Sequence, residues 1–164
     1  MGYNVIMPNL PPREGLRYNI WKKEFDKIKE DLKGEIIVVA HSAGNPFIIK
    51  YIRENHIDIK LYIGLAGFSD IYKMEGREDL YEAVKSVTPT QDEINNFRNN
   101  VKTRYGIYSD TDHIVPREIL EKHIKNIDAT GIMIPNIGHM GKKSNLQTIP
   151  KVIEIIKSEG KEKL

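Results

Sequence analysis

The chain has 164 residues, enough for one domain spanning 1–164 with one substantial core. It is 40% hydrophobic and 29% charged, and its 25 basic and 23 acidic residues are interspersed, so the net charge of +2 gives no reason to invoke nucleic acid. Cysteine is absent, which excludes disulfides, thiolate metal sites and a Cys nucleophile; no apolar run approaches the ~18 residues of a membrane span and no leader pattern is visible, so a cytoplasmic location is expected.

The chain alternates short β-rich runs with longer helical ones. Tyr3–Met7 reads as a short strand closed by Pro8, and Pro11 and Pro12 extend the loop beyond it. Trp21, Phe25, Ile28 and Leu32 recur at helical spacing, and Gly34 sits where a C-cap glycine is expected. Glu35–Ala40 is apolar without alternation, as in a strand buried on both faces of a parallel sheet. A helix over about 43–54 and a strand over 59–65 follow. The stretch 66–100 predicts one or two helices, the second opened by a Thr90–Glu93 capping box. Val101–Tyr108 reads as a strand, 117–125 as a helix and Thr130–Ile134 as the last strand. A final amphipathic helix covers 148–158, with Pro150 in its first turn. About five strands alternating with helices predict an α/β fold with a mostly parallel sheet, and chemistry then belongs beyond the carboxyl ends of the strands.

Three of those strand ends carry reactive side chains. Ala40-His41-Ser42-Ala43-Gly44 joins a strand to a helix and approximates Gly-x-Ser-x-Gly, the nucleophile elbow, with Ala40 in place of the first Gly. On such a turn Ser42 Oγ stands above the sheet, and the Ala43 N–H, at the helix start, points where an oxyanion would form. The plainer reading is a serine capping a helix. A serine nucleophile needs a base and an acid, in the chain order Ser, acid, His. Ser109-Asp110-Thr111-Asp112 follows one strand and Gly138-His139 follows the last. Asp110 and Asp112 are both candidates for the acid. The same pair begins a calcium-loop pattern with Glu121, but Ile114 and Val115 break it, so no metal is expected. His41, His56, His113 and His123 read as structural, with the His41 side chain turned away from the reacting face.

Ala-His-Ser-Ala-Gly, Ser-Asp-Thr-Asp-His-Ile-Val-Pro and Gly-His, with the Val-Ile-Met-Pro-Asn-Leu-Pro segment ahead of them, resemble the small α/β-hydrolases of the retinoblastoma-binding serine hydrolase family. The resemblance runs through nearly the whole chain. It implies a three-layer α/β-hydrolase-like fold with little or no lid, no cofactor, and serine-hydrolase chemistry, here on a small-molecule acyl ester, thioester or amide. It places the nucleophile at Ser42, the acid at Asp112 and the base at His139. Family members carry a further strand and a glycine-rich loop that should precede Gly2-Tyr3, and that loop gives a second oxyanion N–H. Three arrangements accommodate its absence: a start further upstream, a Tyr3–Met7 strand that slides into the gap, or a strand lent by a second copy in a homodimer. A non-catalytic binding or scaffold protein on the same fold is the alternative, because fold does not fix function.

Overall fold

The computed structural model describes residues 2–12, 15–72, 78–141, 144 and 146–160. Four strands form one parallel sheet: β1 (Ile37–His41), β2 (Ile59–Leu65), β3 (Val101–Tyr108) and β4 (Thr130–Met133), in the order β1-β2-β3-β4. Among the described residues six α-helices accompany them: α1 (Tyr18–Asp26), α2 (Gly44–Asn55), α3 (Tyr81–Val87), α4 (Gln91–Asn100), α5 (Arg117–Asn126) and α6 (Pro150–Glu159).

The sheet is covered on both faces, and its side-chain alternation shows how. Gly64 and Gly106 are register partners on β2 and β3 and therefore share a face. A Cβ on Gly64 would meet Asn45 of α2, and one on Gly106 would meet Ile124 of α5. Tyr62, two residues before Gly64, packs edge-on against Phe97 of α4. Helices α2, α4 and α5 thus lie on one face, as right-handed crossovers between successive neighbours require. Tyr105 points the other way, and its hydroxyl bonds Glu159 of α6. Helix α1 packs outside α2, where Trp21 and Phe25 meet Phe47 and Phe25 meets Tyr51.

The strand buried on both faces is β2, in which every residue but Lys60 is buried. For Glu35–Ala40 the expectation of two buried faces is corrected: β1 is the sheet edge, and Val39 is 46% exposed. The expected strand at Tyr3–Met7 is also corrected. These residues join no ladder, and Val5 and Met7 are 84% and 90% exposed. β-Branched residues alone do not make a strand where no partner edge is reached. Helix α1 stops at Asp26, and Gly34 instead takes a left-handed φ of 72° in the connection to β1. The Thr90–Glu93 capping box is formed on both sides. Among the described residues no helix is long and apolar enough to cross a membrane.

Candidate active site

The carboxyl ends of β1, β3 and β4 converge on one cluster. Between β1 and α2 the backbone reverses at Ser42, whose φ of 51° is left-handed and costs a non-glycine residue of order 1–3 kcal/mol. Small neighbours let the turn close. A Cβ on Gly44 would lie 3.9 Å from that of Ala40, an ordinary contact, so alanine fits where the usual motif has glycine.

A buried amide holds this turn. Asn45 is fully buried, and its Nδ2 donates to the carbonyls of Ser42 (2.8 Å) and Leu65 (3.1 Å). Its Oδ1 accepts the hydroxyl of Tyr62, whose pKa burial pushes far up, so that it remains a neutral donor. Ser42 N–H donates to the same Leu65 carbonyl at 2.9 Å. Gly64 leaves room for the network, since a Cβ there would come within 2.5 Å of Asn45 Oδ1.

Strands β3 and β4 pair from Tyr105↔Thr130 to Tyr108↔Met133, and their following loops are therefore adjacent. His139 Nε2 lies 3.0 Å from Ser42 Oγ, and its Nδ1 lies 2.9 Å from Asp112 Oδ2. The Asp112 side chain is 1% exposed and that of His139 14%. Burial alone would raise the Asp112 carboxyl, but hydrogen bonds from His139 and from the Val115 and Ile114 N–H groups outweigh it and hold the pKa below the ordinary carboxylate value. An ionised Asp112 accepts from Nδ1–H, which leaves Nε2 as the acceptor facing the Ser42 hydroxyl. Asp110 lies outside this chain of bonds; its Oδ1 accepts the N–H of Asn136 at 2.8 Å.

The structure corrects the expectation for His41. Its ring packs against His139, with centroids 4.9 Å apart, and Nε2 lies 2.7 Å from the His139 carbonyl oxygen. Burial pushes its pKa down against the effect of that bond. Sequence position gave no sign of this, because the partner is a backbone carbonyl 98 residues away. His123 is 1% exposed, and neither of its ring nitrogens has a partner among the described residues. Phe68 and Tyr72 form a buried edge-on pair, whereas Tyr81 is 41% exposed. A shallow concavity of about 470 Å³ lies at the opposite, amino ends of the strands, lined in part by Glu35, Asp58, Lys60 and Lys102, well apart from this cluster.

A parallel sheet with a serine on a left-handed strand-to-helix turn, faced by a histidine and a carboxylate from later strand ends, defines an α/β-hydrolase-type architecture. The family model described as "Serine hydrolase" matches residues 13–158, and the chain belongs to that family. Among solved structures, the ydeN gene product of B. subtilis superposes with a TM-score of 0.78 at 22% identity, covering 96% of this chain and 81% of that one. A meta-cleavage product hydrolase (CumD) from Pseudomonas fluorescens follows with a TM-score of 0.68 at 10% identity, over 93% of this chain and 76% of that one. A serine hydrolase from Cycloclasticus zankles gives 0.64 at 11%, over 94% and 75%. At these identities the likeness establishes the fold. No curated protein matches the sequence significantly.

Proposed function

We propose that the chain hydrolyses a small acyl ester, thioester or amide through an acyl-enzyme. The observation that supports this most directly is the unbroken run Ser42 Oγ–His139 Nε2, His139 Nδ1–Asp112 Oδ2, at 3.0 and 2.9 Å. In this reading His139 takes the Ser42 proton as Oγ attacks the carbonyl carbon, and Asp112 fixes the imidazole tautomer and stabilises the imidazolium. The Ala43 N–H, at the amino end of α2, receives the oxyanion, where helix-terminal donors have no intrahelical partner. His139 then returns the proton to the leaving group. Water, deprotonated by the same imidazole, releases the acid and restores Ser42.

Labelling of the full chain with a fluorophosphonate probe tests this. Wild type should be modified at Ser42, and Ser42→Ala should not. An unlabelled wild type, or equal labelling of the variant, would favour the rival reading of a non-catalytic binding protein on this fold.

A further inference from the structure

Four consecutive side chains after β3 reach four consecutive residues after β4. Asp110 Oδ1 accepts the N–H of Asn136 at 2.8 Å, Ser109 Oγ that of Ile137 at 3.2 Å, and Thr111 Oγ1 that of Gly138 at 3.2 Å. Asp112 then accepts Nδ1–H of His139 at 2.9 Å. Only the last of these contacts belongs to the Ser42–His139–Asp112 run. The other three join the acid loop to the backbone that carries the imidazole.

That backbone needs support. Asn136, Gly138 and Met140 have φ of 59°, 56° and 53°, so alternate residues around His139 are left-handed. Such conformations persist only where the surroundings over-determine them. The acceptors are also tightly interlinked: Ser109 is buried, and its Oγ additionally accepts the Thr111 N–H at 3.3 Å and lies 3.2 Å from Thr111 Oγ1. The three acceptors thus form one unit that reads off three successive N–H groups.

We propose that Ser109, Asp110 and Thr111 are positioning residues for His139, a template that shapes the loop so that the imidazole lies between Ser42 and Asp112. The proposal rests on the serine-hydrolase reading of those three residues, and it assigns Asp110 to the loop backbone. A displacement of about 1 Å in a reacting group costs on the order of 100-fold in rate, so loss of a template contact should appear in kcat and leave KM nearly unchanged.

The test uses Asp110→Ala, Asp110→Asn, Ser109→Ala and Thr111→Val in the full chain, with two readouts. The first is amide hydrogen exchange at residues 136–138 by NMR. The second is kcat and KM on p-nitrophenyl acetate. Asp110→Ala should speed exchange at Asn136 and lower kcat about 10- to 100-fold with KM within about twofold. Asp110→Asn keeps an acceptor oxygen and should stay within about threefold of wild type in kcat. Ser109→Ala and Thr111→Val should speed exchange at Ile137 and Gly138, respectively. Unchanged exchange in Asp110→Ala, a loss confined to KM, or an Asp110→Asn as slow as Asp110→Ala would overturn the proposal. If buried Ser109→Ala fails to fold, exposed Asp110 decides the matter alone. If wild type has no esterase activity and no labelling at Ser42, the serine-hydrolase reading fails, and exchange still decides whether the template exists.

Discussion

His41 Nε2 lies 2.7 Å from the backbone carbonyl of His139, so the residue before the candidate nucleophile holds the residue that carries the candidate base. A carbonyl only accepts, so Nε2 must bear the proton in this contact. The nucleophile turn and the base loop are thereby linked twice, once through Ser42 Oγ and once through this bond. Removing it should loosen the base while leaving Ser42, Asp112 and His139 themselves in place. His41→Ala is expected to lower kcat about tenfold with little change in KM, the loss of roughly one hydrogen bond from the transition-state geometry. His41→Gln retains a donor and should recover part of that loss. Steady-state kinetics on a p-nitrophenyl ester would check both, and a wild-type kcat in His41→Ala would refute the link.

Asn45 should matter to the nucleophile in the same way. Truncating it to alanine takes a donor from two backbone carbonyls and strands the Tyr62 hydroxyl in the core. Unsatisfied buried groups cost about 1–3 kcal/mol each. Asn45→Ala is therefore expected to lose about 2–3 kcal/mol in denaturant unfolding and to react more slowly with a fluorophosphonate at Ser42. Gly64→Ala should weaken the same network from the other side, because its Cβ would lie 2.6 Å from the Tyr62 hydroxyl and 2.5 Å from Asn45 Oδ1. A cost of about 1–3 kcal/mol is typical of such overpacking. If Asn45→Ala is destabilised yet labels at the wild-type rate, the amide supports the fold and not the turn.

His123 should make stability depend on pH. Burial drives its pKa down to about 3 from the ordinary 6.5, so it is neutral in the folded chain over that whole interval. The unfolded chain takes up the proton below 6.5, and stability therefore falls with acidification, by about 1.4 kcal/mol per pH unit between the two values. Above the unfolded value the residue contributes no pH dependence. His123→Leu should flatten this part of the profile. Urea unfolding at a series of pH values from 7 to 4 would check it, and identical slopes for the two proteins would sink the assignment.

Most of the framework can be read from residue patterns. The apolar runs at 35–40 and 59–65, the capping box at Thr90 and the proline of α6 all mark real elements. Ser42 was legible because its turn needs small neighbours, and His139 because it follows a strand end; that position left Asp110 and Asp112 equal, and only the family resemblance pointed to Asp112. Tyr3–Met7 misled, since strand composition does not say whether a partner edge is within reach. Glu35–Ala40 reads as doubly buried, yet placement at the edge is decided by strand order, which local composition does not encode. His41, Asn45 and the Ser109–Thr111 template were illegible for another reason. Apart from the Tyr62 hydroxyl on Asn45, the partners that matter are backbone atoms, and a backbone carbonyl or N–H looks the same at every position in a sequence.

Strand β4 contributes four residues, yet it fixes where His139 lies relative to Asp112. A slip of one residue against β3 would displace the later loop by about 3.3 Å and turn its side chains to the opposite face. No bond in the cluster could stretch that far, so a misregistered molecule would be inert even if compact. The reactivity of Ser42 towards a covalent probe is accordingly expected to act as a gauge of correct folding. It would count molecules whose last two strands have met in the right alignment, which far-UV circular dichroism, sensitive to the amount of helix and strand, would miss.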